Sequence, residues 1–220
     1  ITWLPKLEDL LPIRVPTPIK IGSATNEYPY KWTINPWFDG DSALEKKISA
    51  NEVKRLVSCL RVLHSVDSTS APSNPFREKP LIAKDKDVQL RINEIEAKSI
   101  AIPDSIKKLW DELKHIEIDD SPTLIHGDLH PGNIVMSQKK IEAIIDWGDI
   151  TKGDIATDLA CFWMLIADNE LRLSAFDEYG ASQSTLLRAK AWAIFYGITF
   201  LNAGSDYVKL GESILQNVIE

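Results

Sequence analysis

The sequence predicts an α+β protein in which a mostly helical body, residues 41–220, carries a small β-hairpin region and follows a smaller proline-rich portion, residues 1–40. Three observations predict it. Apolar residues recur at helical spacing over 49–64 and again, more densely, from 155 to 201. Three brief β-prone runs fall at 123–126, 133–136 and 141–145. Prolines 5, 12, 16, 18, 29 and 36 punctuate the first 40 residues.

Taken in chain order, those prolines separate short apolar runs at 18–21 and 30–38, a spacing that fits short strands with tight connections. The opening Ile1-Thr2-Trp3-Leu4-Pro5 has no start methionine and no cap, and reads as the end of a helix entered midway. Ser49 and Glu52 make a capping-box pair, after which Val53, Leu56, Val57, Leu60 and Leu63 define a long amphipathic helix ending near His64. Residues 67–80 turn to Ser, Pro, Asn and charge, bury no face, and are expected to form a loop. Two polar helices are expected at about 84–99 and 104–115, the second started by Pro103, with Ile92, Ile95, Ile106 and Leu109 on their apolar faces. After the β-prone runs the chain is expected to be helical from Asp154 to its end, with 155–167 and 189–201 as the core of the larger body. Trp110, Trp163 and Trp192 fall within helical patterns and are expected in the packing.

A length of 220 residues, 44% of them hydrophobic, suits one large domain or two unequal lobes. The net charge of −7 argues against nucleic acid, whose phosphates need clustered Lys and Arg, and favours a neutral or cationic small-molecule partner. Cys59 and Cys161 lie in apolar helical patterns, away from any metal-ligand spacing; buried reduced thiols and a cytoplasmic location are expected. The most apolar stretches, 159–167 and 191–201, are too short to span a bilayer, so no membrane partner is expected.

The chemistry is concentrated in Leu124-Ile-His-Gly-Asp-Leu-His-Pro-Gly-Asn-Ile-Val-Met136 and Ala143-Ile-Ile-Asp-Trp-Gly-Asp149. A strand delivers Asp128 into a tight loop, Asn133 ends that loop, and a short hairpin returns Asp146 beside it. One carboxylate and one amide, Asp146 and Asn133, are hard oxygen ligands suited to Mg²⁺, and Asp128 is then left free as a base. Such a set suits phosphoryl transfer, where the protein positions a hydroxyl and neutralises phosphate charge.

His126-Gly127-Asp128, then Asn133, then Ile145-Asp146-Trp147-Gly148-Asp149 resembles the signature of the aminoglycoside phosphotransferase and choline kinase family, which is similar in fold to protein kinases. Tyr28-Pro29-Tyr30-Lys31-Trp32 through Trp37-Phe38-Asp39-Gly40 resembles that family's last small-lobe strand and hinge, and Gly153-Asp154-Ile-Ala-Thr-Asp158-Leu-Ala160 the helix after its metal loop. The resemblance implies a protein-kinase-like fold and a small-molecule kinase that uses ATP or GTP with Mg²⁺. It implies that Asp128 orients or deprotonates an acceptor hydroxyl, that Asn133 and Asp146 hold the metal, and that the backbone around Asn35, Trp37 and Phe38 meets the purine. Pro36 has no N–H to give there. His126 holds the loop by backbone bonds, while His130 is a candidate for contact with phosphate or substrate. Asp149 either reaches substrate or a second metal, or ends its loop by bonding backbone N–H groups. Asp154 and Asp158 read as structural, at a helix start and in its first turn. Glu170, Asp177 and Glu178 are the acidic candidates for an acceptor of polyamine-like character. An antibiotic-resistance role rests on the resemblance alone.

The family layout also implies a phosphate-covering loop, a strand Lys and a helix Glu before residue 1, with Trp3-Leu4-Pro5 just past that helix. The 220-residue chain by itself is therefore expected to bind nucleotide poorly and to transfer phosphate hardly at all. Two rival readings stand beside the kinase: a metal-dependent hydrolase using His126, Asp128 and His130, and a non-catalytic binding or regulatory remnant of a kinase-like protein.

Overall fold

The computed structural model describes residues 2–220, except the side chains of Glu45, Ser205 and Asp206. A short helix α1 (Leu4–Glu8) begins where a helix end was expected. Pro5 lies in its first turn, where a missing N–H costs nothing and the fixed φ favours helix initiation. Strands β1 (Lys20–Gly22) and β2 (Trp32–Ile34) pair antiparallel, with Ile21 opposite Thr33. This hairpin leaves Ile19, Ile21, Trp32 and Ile34 exposed. Residues before it are tied into the large body: Trp3, Leu7, Leu11, Ile13 and Val15 join the main core, and Ile144 N–H donates to the Arg14 carbonyl at 3.0 Å.

After the short strand β3 (Asp41–Ser42), helix α2 (Ala50–Ser65) starts where its cap predicts. Ser49 Oγ accepts from Glu52 N–H at 3.4 Å, but the Glu52 carboxylate does not reach back to complete the capping box. It accepts instead from Ile141 N–H at 2.8 Å and from Arg55 at 3.3 Å. The register shift between Val135 and Met136 interrupts the ladder opposite Ile141, and a buried N–H there needs a partner more than the helix end does.

Helices α3 (Asp85–Ala97) and α4 (Asp104–Leu113) form as expected, and residues 67–80 form a loop. Strand β4 (Thr123–Ile125) feeds the 126–133 loop. Strands β5 (Ile134–Ser137) and β6 (Lys140–Ile144) form the hairpin, with β3 on the β5 edge. Strand β7 (Thr151–Gly153) returns antiparallel to β4, Leu124 opposite Lys152.

The rest is helical: α5 (Ala156–Leu159), α6 (Cys161–Leu165), α7 (Asn169–Tyr179), α8 (Gln183–Asn202) and α9 (Ser205–Ile219). The apolar run 155–167 is thus two short helices. Helix α8 is the axis of the body, packed on α3, α4, α5 and α9. A Cβ at Gly211 would lie 2.8 Å from the Gly197 carbonyl, so these two glycines let α8 and α9 cross closely. Trp110, Trp163 and Trp192 are buried, as are the free thiols of Cys59 and Cys161; burial pushes the Cys59 thiol up to about 12. Among the described residues no helix is long and apolar enough to cross a membrane.

Candidate active site

Strand β4 ends at Ile125, and the next two N–H groups have no strand partner. Asp158, buried in α5, takes both: Oδ2 from His126 at 2.8 Å and Oδ1 from Gly127 at 2.9 Å. Its Oδ2 also meets His64 Nε2 at 3.1 Å, and His64 Nδ1 meets the Tyr179 hydroxyl at 2.8 Å. Burial raises the Asp158 pKa, but the His64 bond and the backbone donors outweigh it and the carboxyl ends below its ordinary value. Asp158 is therefore the ionised anchor of the loop that carries Asp128.

His126 latches the two chemical loops together. Its Nδ1 accepts from Asp128 N–H at 3.2 Å and its Nε2–H donates to the Ile145 carbonyl at 2.9 Å, with the ring tilted on Trp147 at 4.6 Å. Both ring nitrogens are used, so His126 has none left for zinc; the described residues hold no group of three or more His, Cys, Asp or Glu arranged for a metal. Asn133 Nδ2 donates to the Asp128 carbonyl at 2.9 Å, which leaves its amide oxygen open. Ile145 N–H donates to the Asn133 carbonyl at 2.9 Å, and this bond sets Asp146 beside Asn133. Asp146 is exposed and left-handed, φ 58°, a conformation Asp tolerates better than most residues. The Asn133 amide oxygen and the Asp146 carboxylate are the hard donor set that Mg²⁺ takes, so the residues present fit that ion.

Asp128 is 27% exposed at its side chain. Its Oδ1 accepts from Arg77 Nη2 at 2.6 Å and lies 3.2 Å from the Tyr196 hydroxyl. The other oxygen, Oδ2, is 3.8 Å from His130 Nε2, too far for a hydrogen bond. His130 caps the next turn, its Nδ1 accepting from Gly132 N–H at 3.0 Å, and its ring meets Phe200 edge-on at 5.1 Å. Burial lowers the His130 pKa more than the neighbouring Asp128 raises it. At neutral pH its neutral ring faces the open oxygen of Asp128.

Arg77, Asn74 and Tyr196 join this site, and none of them was expected there from the sequence. Arg77 Nε donates to Asp149 Oδ2 at 2.8 Å, and Asn74 Nδ2 donates to Asp149 Oδ1 at 3.0 Å, so Asp149 binds side chains of the 67–80 loop. Burial works against the Arg77 charge, but Tyr196, Asp128 and Asp149 together raise its pKa above the usual guanidinium value. Tyr196 reads in sequence as one more apolar residue of α8, and the loop as polar filler. The usable signal was Asn74 and Arg77 three residues apart in a segment too short of apolar groups to be ordered by packing.

The expected purine-contact residues fall on two sides of the chain. Asn35 shares a cleft of about 580 Å³ with Asp146, Trp147 and Gly148. Trp37 is 87% exposed, whereas Phe38 packs on Val135 and Ala143 under the Arg14 guanidinium. Phe38 thus has its backbone alone to offer. Glu170, Asp177 and Glu178 lie exposed on α7, which packs against α2, and none contacts Asp128. A larger cleft, about 670 Å³, lies between residues 41–48 and α9 and includes none of Asp128, Asn133 and Asp146.

Solved structures with the same fold include a point mutant of aminoglycoside 2'-phosphotransferase-IIIa in complex with GDP, 17% identical over 100% of this chain and 79% of that one, TM-score 0.64. The streptomycin-ATP-APH(2'')-IIa ternary complex is 16% identical over 96% and 77%, TM-score 0.57. The apoenzyme of macrolide 2'-phosphotransferase MphH from Brachybacterium faecium is 20% identical over 99% and 77%, TM-score 0.53. No curated protein sequence matches the chain. The fold is thus protein-kinase-like, with a large helical body behind a small β region. The family model described as the phosphotransferase enzyme family (APH) matches residues 1–193, and the chain belongs to that family.

Proposed function

We propose that this phosphotransferase moves the γ-phosphoryl group of ATP or GTP to a hydroxyl of a small molecule. The observation that carries the reading is an Asp128 Oδ2 and an Asn133 amide oxygen in one loop, both without a hydrogen bond among the described residues, with the loop tied by the Ile145–Asn133 bond to the residue before Asp146. Asp128 Oδ2 takes the hydroxyl proton or holds the hydroxyl in line, while Asn133 and Asp146 hold Mg²⁺. Bound there, Mg²⁺ would supply positive charge to offset the charge developing on the phosphate oxygens. Residues 1–40 act as small lobe and hinge, with the backbone of Asn35, Trp37 and Phe38 against the purine, and residues 41–220 as the large lobe. Among the described residues the backbone groups of 35–38 carry no hydrogen bond of their own, which leaves them open to a base.

Phosphoryl transfer in this class also uses a Lys–Glu pair on the α and β phosphates. The described Lys–Glu pairs, Lys107–Glu96 and Lys108–Glu112, belong to α3 and α4. The test is transfer from Mg-ATP and Mg-GTP to aminoglycosides, macrolides and small amino alcohols. Transfer abolished by Asp128→Ala supports the kinase. Silence with every acceptor, without Mg²⁺-dependent nucleotide binding, favours a non-catalytic binding protein.

A further inference from the structure

Arg77 reaches the site from the 67–80 loop, and three of its nitrogens are engaged. Nη2 lies 2.6 Å from Asp128 Oδ1 and 2.7 Å from Asp149 Oδ2, Nε donates to the same Asp149 oxygen at 2.8 Å, and Nη1 donates to the Tyr196 hydroxyl at 3.3 Å. We propose that Arg77 is a positioning residue of the phosphotransfer site, which fixes Asp128 through Oδ1 and so reserves Oδ2 for the acceptor hydroxyl. The inference rests on the reading of Asp128 as the residue that takes that hydroxyl.

The surroundings are shaped for this contact. At Gly127, φ +85°, a Cβ would stand 3.3 Å from Arg77 Cγ and 2.6 Å from the Asp149 carbonyl, so glycine there lets the arginine stem pass. Asn74 holds the other Asp149 oxygen, which turns Asp149 Oδ2 toward the guanidinium. The loop does not need Arg77 for its own attachment. The Glu78 carboxylate accepts from Asn74 N–H at 2.7 Å, from Ser73 Oγ at 3.1 Å and from Thr151 Oγ1 at 2.9 Å, and Lys84 donates to the Phe76 carbonyl. A half-buried guanidinium spread over two carboxylates from different loops fixes the angle of both; an ammonium has no planar fork to do so.

In the reaction, the acceptor oxygen forms its bond to the γ phosphorus as the bond to the bridging oxygen breaks, that electron pair leaving on the nucleoside diphosphate. The hydroxyl proton passes to Asp128 Oδ2. Arg77 stays on Oδ1 throughout and keeps Oδ2 on the line of attack.

The test uses water as acceptor, so no substrate need be known: Mg-ATP and Mg-GTP hydrolysis by wild type, Asp128→Asn, Arg77→Ala, Arg77→Lys and the double variant. Arg77→Ala is expected to lower kcat about 10²-fold, the scale of a misplacement near 1 Å, with the nucleotide KM within about twofold. Arg77→Lys falls between. Added methylguanidinium is expected to restore about tenfold in Arg77→Ala and nothing in Arg77→Lys, a rescue that a purely structural role does not give. The double variant adds little to Asp128→Asn. Turnover that needs Asp128 and not Arg77 overturns the inference alone; turnover indifferent to Asp128→Asn overturns the kinase reading and this inference with it. If wild type does not turn over, nitrogen NMR of the guanidinium decides. Slow rotation of the Arg77 Nη groups that Asp128→Asn releases supports the clamp, and free rotation in wild type overturns it.

Discussion

Gly127 shows how tightly the residues around Asp128 are fitted. Its φ of +85° and the 2.6 Å approach of the Asp149 carbonyl to any Cβ make Gly127→Ala strained in two ways. About 1–3 kcal/mol of stability is expected to be lost, read as a lower urea midpoint, with turnover falling because Asp128 is the next residue. Asp146 is a different case, since its left-handed backbone does not depend on a packed side chain and the residue is exposed. Asp146→Asn is expected to keep the melting temperature within a degree or two and to weaken Mg²⁺-dependent nucleotide binding at least about tenfold, measured by calorimetry with and without the ion. An unchanged Mg²⁺ dependence would remove Asp146 from the metal site.

Among the elements, α8 does the most to hold the site in place. It supplies Tyr196 to Asp128 and, one face away, Arg188 to the segment that follows the Asp146 loop. Arg188 Nε donates to Asp154 Oδ2 at 2.8 Å, Nη2 to Asp154 Oδ1 at 3.0 Å and Nη1 to Asp119 Oδ1 at 2.5 Å. Asp154 Oδ1 in turn accepts from Ala156 N–H at 3.1 Å at the start of α5, the helix that carries Asp158. Removing the arginine leaves a buried carboxylate without its counter-charge. Arg188→Ala is expected to cost about 3–5 kcal/mol, and Asp154→Asn in that background to recover part of it. Full additivity of the two in denaturant titrations would show that the pair does not act as a unit.

Across the whole molecule, acid should loosen the site before it loosens the helices. Asp158 has a folded pKa below its unfolded one, so it contributes stability that is present above the ordinary Asp value, about 3.9, and is lost as pH falls through the lower folded value. Asp119 behaves alike, held down to about 2 by the Ser182 hydroxyl and by Arg188. Melting temperature is therefore expected to decline below about pH 4. Asp158→Asn should lower it at pH 7 and flatten the acid arm; an acid arm of unchanged slope would exclude Asp158 as its source. The β1–β2 hairpin lies at the other extreme. Because Ile21 is half exposed and outside both core clusters, Ile21→Lys is expected to change stability by less than about 0.5 kcal/mol.

The placement of Asp128, Asn133 and Asp146 on adjoining loops was legible because loop geometry is local: a strand, a tight turn and a hairpin leave those side chains few places to go. Helix α2, the two polar helices and the hairpin followed from period and caps for the same reason, since 3.6- and 2-residue repeats are properties of neighbouring residues. The Glu52 carboxylate was misread because a buried N–H of Ile141, 89 residues away, competes for it. Arg77 and Tyr196 were invisible for a like reason: their partners lie 51 and 68 residues away at Asp128. By itself the sequence determined the family signature, the order of the main elements and the loops on which Asp128, Asn133 and Asp146 lie. Only the tertiary structure decided which Asp128 oxygen is open and which charges flank it, because a hydrogen bond across the chain is chosen by the packing of whole elements.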